Sequence, residues 1–383
     1  MLVNKFRLIE LLNHPDGRVV NAAGDALERF FWDRAEILGA LLNVLEGEHK
    51  RETKRDLSLS HRLPSFPATE KDLPTLTRLL TALDGKKDDE SEELAWNIKQ
   101  VLLYTPFPLI QAKRHLFSSH ITLMDIYEET RQRDRFRLMA PDRLWQIFKG
   151  QFFHSFQKGE AKRHEIAHSL VNFMVQKGDA IKPYVTAIFK KNKIDDDTME
   201  EYLIEVVGKL KLTELAPFLF DILRNSDPMD IIHQECIRYL GMLGTPKLVQ
   251  HIERRYIMDE DSRAELAQIL GYIPHYYSEE LCMKLLGNET NVFHKTYLAC
   301  SLCDLFSLKG SGTVLEIIKK RNYDPMVCLL LTDLVPVYAY HHIPQIALEA
   351  LEADDLKFRQ GIQDEEFEPE WEDDEEPEED EDE

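Results

Sequence analysis

Residues 164–168 read His-Glu-Ile-Ala-His. Residues four apart on a helix share a face, so His164 and His168 can offer two imidazole nitrogens to one zinc ion. Glu165 then stands beside them as the base for a zinc-bound water, and the chemistry such a trio supports is metal-assisted hydrolysis. A catalytic zinc needs a third protein ligand, and the histidine that would extend the motif is absent. The nearest downstream carboxylates, Asp195, Asp196 and Asp197, fall in a stretch that reads as a turn, where aspartates are ordinary helix caps. The first reading is therefore a structural helix whose core face is Ile166, Leu170, Phe173 and Met174, with His164 and His168 on another side beside Val171 and Val175. A zinc-dependent hydrolase using His164, Glu165 and His168 is the alternative.

Charge supplies a second candidate. Residues 111–193 carry sixteen Lys and Arg against eight acids, with Arg131, Arg133, Arg135 and Arg137 alternating in one run. Residues 364–383 carry sixteen acids and no Lys or Arg, which leaves −6 for the remainder of a chain whose net charge is −22. A segment so charged cannot bury enough apolar surface to offset its ordering entropy, and a disordered tail from 361 onward is expected. Its only bulky apolar groups, Phe367 and Trp371, could anchor it within the chain against segment 111–193, or on a partner. The four arginines and the two aromatics are the candidate partner-binding residues.

The five cysteines, Cys236, Cys282, Cys300, Cys303 and Cys328, lie in apolar stretches and suit a reducing compartment better than a disulfide framework. Cys300 and Cys303 form a C-x-x-C without a second Cys or His pair at metal spacing, and read as buried small hydrophobes. No stretch approaches the ~20 apolar residues of a membrane span. A cytoplasmic protein without a cofactor is the expectation.

The elements that must position all these residues are helices. From 140 to 360, apolar runs of helical period are broken by polar turns at Gly159, Asp195, Ser226, Asp259, Glu289 and Tyr323, spaced 36, 31, 33, 30 and 34 residues apart. Each interval is long enough for two helices and their turns, the sequence mark of an α-solenoid whose contacts run mostly between neighbouring units. In one unit, Leu215, Phe218, Leu219 and Ile222 predict one face of a first helix. Ile232, Cys236, Tyr239 and Leu240 then predict a face of the second, which Gly241 and Gly244 are expected to end. The same grammar opens the chain, with a turn at 13–17 and Ala22, Ala23 and Ala26 allowing close helix approach.

HPDGRVVNAAGDAL at 14–27 and ILRNSDPMDIIHQECIRYLGMLGTPKLV at 222–249 resemble HEAT-like helical repeats of the short, phycobilin-lyase type, with weaker copies downstream. The resemblance implies an all-α solenoid of stacked antiparallel helix pairs, divided as an N-terminal unit at 1–46, a long loop with divergent helical units at 47–135, a repeat array at 136–360 and the acidic tail at 361–383. It implies a fold far more than a function. Deoxyhypusine hydroxylase, which shares this repeat type, binds iron through repeated His-Glu pairs, and this chain has one adjacent pair, at 164 and 165. HEAT-like DNA glycosylases need a basic concave face for phosphates, against which the overall −22 argues. The function expected is a non-enzymatic scaffold or adaptor that binds protein partners rather than nucleic acid.

Overall fold

Of the polar turns predicted from the sequence, those at 13–17, Ser226, Asp259 and Glu289 fall between helices, and Gly159, Asp195 and Tyr323 lie outside the described residues. Asp16, Asp88, Asp230, Thr245, Asn291 and Ser307 each turn a side-chain oxygen onto a backbone N–H of the helix that follows, satisfying donors that have no intrahelical partner. A computed structural model describes residues 2–49, 58–153, 160–191, 194, 197–320 and 327–342. The described residues are helical, with no strand among them. In chain order they form α1 (Lys5–Leu11), α2 (Gly17–Phe31), α3 (Ala35–His49), a 3-10 turn (Ser60–Ser65), α4 (Leu73–Leu83), α5 (Asp89–Tyr104), α6 (Phe107–Ala112), α7 (Arg114–Phe117) and α8 (Ile121–Leu138). There follow α9 (Pro141–Phe153), α10 (Glu160–Lys177), α11 (Lys182–Lys191), α12 (Asp197–Lys209), α13 (Ala216–Asn225), α14 (Ile231–Leu243) and α15 (Pro246–Met258). The last are α16 (Arg263–Gly271), α17 (Tyr276–Asn288), α18 (Val292–Asp304), α19 (Leu308–Lys319) and α20 (Val327–His341). The acidic tail expected from 361 lies outside the described residues.

From α9 onward each odd-numbered helix packs on the even-numbered one that follows it, and the even-numbered helices α10 to α20 pack one upon the next. Their shared faces are mainly apolar: Leu203, Val207, Leu240, Ala267, Leu270, Leu298 and Ala299 are fully buried. Each fully buried leucine or isoleucine side chain contributes about 1.5–3 kcal/mol, so this series carries much of the core. The period also appears in polar contacts. Tyr256 donates to Glu289 Oε2 at 2.9 Å across 33 residues, Tyr277 to the Gly244 carbonyl at 3.2 Å across 33, and Ser301 to the Ala267 carbonyl at 2.7 Å across 34.

Three expectations are corrected. Gly241 does not end α14, which runs on to Leu243 and is capped by Gly244 at φ +24°. It sits inside the helix because Tyr272 of α16 presses on it: a Cβ there would stand 2.0 Å from Tyr272 Cβ. The buried side of α13 is Leu219, Phe220 and Leu223, and Phe218 and Ile222 stay half-exposed, so the core face is turned from the one the spacing predicted. The divergent helical units expected in 47–135 include α4 to α7 with parts of α3 and α8, and within that segment's polar stretch Leu59, Leu63 and Phe66 are buried around the 3-10 turn, which packs on α5 and α2. A tight turn brings residues three or four apart to one side, a pattern that charged neighbours mask in the sequence.

The third correction concerns the ends. Contacts are not confined to neighbours, because α1 and α2 pack against α20, and α2 also reaches α14. The Asn4 N–H donates to the Tyr340 hydroxyl at 2.6 Å, Arg7 donates to the carbonyls of Ala339 at 3.0 Å and Tyr340 at 3.3 Å, and the Leu2 N–H to that of Pro274 at 3.1 Å. Gly24 of α2 serves a different contact, letting Leu59 beside the 3-10 turn approach so closely that a Cβ on that glycine would stand 2.4 Å from the leucine Cδ2.

Candidate functional site

His164, Glu165 and His168 fall within α10, and their side chains lie outside the described ones, as does that of Asp197; Asp195 and Asp196 lie outside the described residues. What α10 does around them is structural. Ala167, Leu170, Val171 and Met174 are fully buried and Phe173 nearly so, and Ser169 accepts from Arg133 Nη1 at 2.6 Å. Val171, expected beside the histidines and away from the core, is thus part of the core. Among the described residues no group of three His, Cys, Asp or Glu side chains could hold a metal ion.

The four arginines of α8 do not share a face. Two residues advance a helix by about 200°, so Arg131 and Arg135 stand nearly opposite Arg133 and Arg137. Arg131 is exposed and meets Glu128 at 3.1 Å, while the exposed Arg135 lies 4.9 Å over the Phe136 ring. Arg133 is 8% exposed and bonds Ser169 and Glu129, each at 2.6 Å, and Arg137 bonds Asp134 at 2.7 Å. Of the expected basic patch, Arg133 therefore holds α8 to α10, and Arg137 is paired within α8. Phe367 and Trp371 lie outside the described residues. Cys236 and Cys282 are buried, and burial pushes both thiols up, with Glu200 and Glu235 beside the first and Glu279 and Asp304 beside the second, so neither is poised as a nucleophile.

A denser cluster of charge was not foreseen, and it lies where α2 meets the even-numbered helices. Arg29 sits between Asp25 and Asp304 of α18 and lies 4.4 Å over the Tyr272 ring of α16. Glu28 accepts from Arg62 of the 3-10 turn and from Arg238 of α14, each at 2.9 Å, and Lys209 of α12 lies 5.4 Å over the Trp32 ring. Burial raises the Asp25 carboxyl, yet Arg29, Arg62 and Arg238 outweigh it and hold that group below the usual carboxylate range. Burial opposes the charge on Arg29 too, and Asp304 and Asp25 hold that guanidinium firmly protonated. Every charge in this cluster has an opposite, so its chemistry is cohesion between distant parts of the chain.

Two carboxyls next to it have the contrary shift. Burial raises Glu235, Arg238 offsets part of that, and Glu205, Glu201 and Glu28 add to it; burial, then Glu205 and Asp230, raise Glu201. A carboxyl raised in the folded state binds a proton more readily folded than unfolded, so stability falls as pH rises through its folded pKa. Glu235→Gln should therefore remove part of any gain in stability on mild acidification from pH 7, read as urea midpoints across a pH series. A variant whose midpoints rise on acidification as steeply as those of the parent contradicts this assignment.

Apolar side chains stand exposed at the turns inside successive pairs. Met229 is 91% and Ile231 63% exposed between α13 and α14, Ile257 65% and Met258 85% where α15 gives way to α16, and Phe293 38% just after the turn between α17 and α18. Beside the first of these turns is a cleft of about 560 Å³ floored by Phe189, Phe218, Ile222 and Ile232. A second cleft of about 600 Å³ between α15 and α17 is walled by Tyr276, Tyr277, Val249 and Leu281.

No family model, curated protein or solved structure matches this chain.

The turn residues were visible in the sequence as punctuation only, because an exposed methionine beside an aspartate reads like any loop. Their repetition at 229–231, 257–258 and 293, close to the period of the helix pairs, is the signal that could have found them. The pairing of Arg29 with Asp304 had no such signal, since it joins residues 275 apart. The described helices include none long and apolar enough to cross a membrane.

Proposed function

We propose that this chain is a non-enzymatic scaffold of the HEAT-like kind, a solenoid of stacked antiparallel helix pairs whose ends are joined through α2, and that it binds a protein partner along its turns. The observation that carries the reading is the repeated exposure of Met229, Ile231, Ile257, Met258 and Phe293 at successive turns. Exposed apolar residues scattered singly are ordinary, whereas a series recurring with the structural repeat offers one extended surface to a partner. The even-numbered helices agree with it, being packed on both flanks, and the ionic cluster supports the reading by using its charges internally.

The alternative, zinc-dependent hydrolysis at His164, Glu165 and His168, is separated by one experiment. Protein purified without chelator is expected to hold no stoichiometric zinc, and His164→Ala combined with His168→Ala to change stability by no more than about 2 kcal/mol. About one zinc per chain, lost in that double variant together with a hydrolytic activity, would replace the scaffold reading with the enzymatic one.

A further inference from the structure

We infer that the cleft between α11, α13 and α14 seats a basic amphipathic helix of the partner protein, an assignment that rests on the scaffold reading above. Phe189 and Phe218, their ring centroids 6.4 Å apart, form its floor with Ile222 and Ile232. Glu200, Asp221 and Asp230 stand among its lining residues, and among the described residues no Lys or Arg lines it. Asp230 caps α14, and Asp221 meets Arg224 at 3.7 Å with both side chains more than half exposed, a contact that water and salt weaken.

The volume, about 560 Å³, is also within the range of small-molecule pockets, about 300–1,000 Å³. Met229 and Ile231 decide between the two classes of occupant. They flank the cleft residue Asp230, are 91% and 63% exposed, and would stay bare above a small molecule filling the cleft. A helix laid across it covers them, sets apolar side chains at i, i+3 and i+4 onto the floor, and brings Lys or Arg from the flanking positions to the carboxylates. The chain's own acidic tail has the same sign as the lining and is therefore not that occupant.

The test uses the full chain and two fluorescein-labelled synthetic peptides of about 18 residues, one a Leu/Lys amphipathic helix and the other its Leu/Glu counterpart. Three variants are compared: Asp221→Arg beside the floor, Met229→Asp at the turn and, as a charge-matched control, Asp89→Arg in the first turn of α5. All three positions are exposed, so the helical fold is expected to survive, and the acidic tail is common to all. The Lys peptide should bind at least tenfold tighter than the Glu peptide. Asp221→Arg should weaken it about tenfold, Met229→Asp should weaken it although it adds a negative charge, and Asp89→Arg should leave it unchanged. Equal losses in Asp221→Arg and Asp89→Arg, tighter binding by Met229→Asp, or no binding of either peptide overturns the assignment. A native partner retained by Asp221→Arg would leave the scaffold reading standing and this seat refuted, whereas absence of any partner for the parent protein refutes the scaffold reading itself.

Discussion

Arg29→Ala is expected to lower the stability of residues 1–342 by about 3 kcal/mol. The substitution takes the cation from Asp304, leaves Asp25 with Arg62 at 3.0 Å, and removes the guanidinium that lies on Tyr272. Breaking a buried ion pair typically costs about 3–5 kcal/mol, because the surviving charge remains desolvated without its counterion. The side chain of Arg29 is 12% exposed and that of Asp304 28%, so water reaches the orphaned carboxylate and the lower end of that range applies. Adding Asp304→Asn removes the orphan, and the double variant should therefore lose less than the sum of the two single losses by at least about 1 kcal/mol. Urea unfolding of the four proteins closes the cycle. Additive losses would show that Arg29 stabilises α2 by packing alone.

Gly241→Ala is the second large effect, and its sign opposes helix propensity. Alanine is favoured over glycine inside a helix by about 1 kcal/mol. The new methyl, however, would lie 2.0 Å from Tyr272 Cβ and 3.2 Å from its Cα, and the backbone cannot swing away as the tip of a side chain could. Overpacking of this kind costs about 1–3 kcal/mol or more, so a net loss of about 2 kcal/mol is expected, with Tyr272 pushed against Arg29. Gly287→Ala in α17 is the control: nothing lies within 4 Å of its added Cβ, and that variant should gain up to about 1 kcal/mol. Thermal or urea midpoints moving in the same direction for both glycines would contradict the close contact between α14 and α16.

These two residues also show how far the sequence could be read. The helical class, the turns at Ser226, Asp259 and Glu289 and the buried face of α14 followed from periodicity and cap chemistry, which act over a few residues. Glu289 illustrates the local logic: it ends α17 and accepts from Tyr256, Arg263 and the N–H groups of Thr290 and Asn291. Gly241 looked like a helix stop because glycine often is one, and only the distant Tyr272 explains why it continues the helix. Nothing in the spacing marks Arg29 and Arg238, because their partners Asp304 and Glu28 lie far along the chain. The arginines of α8 invited a single basic patch, which a glance at helical angle divides. Local chemistry is written in sequence spacing; closure of the two ends depends on three-dimensional juxtaposition that spacing does not encode.

The scaffold reading is tested most directly by the mass of what the full chain holds when captured from native extract, comparing the parent with Met229→Asp plus Met258→Asp and with His164→Ala plus His168→Ala. A stoichiometric protein partner held by the parent and by the histidine variant, and lost from the turn variant, is the result expected. A partner retained by the turn variant, or lost only with the histidines, would contradict it.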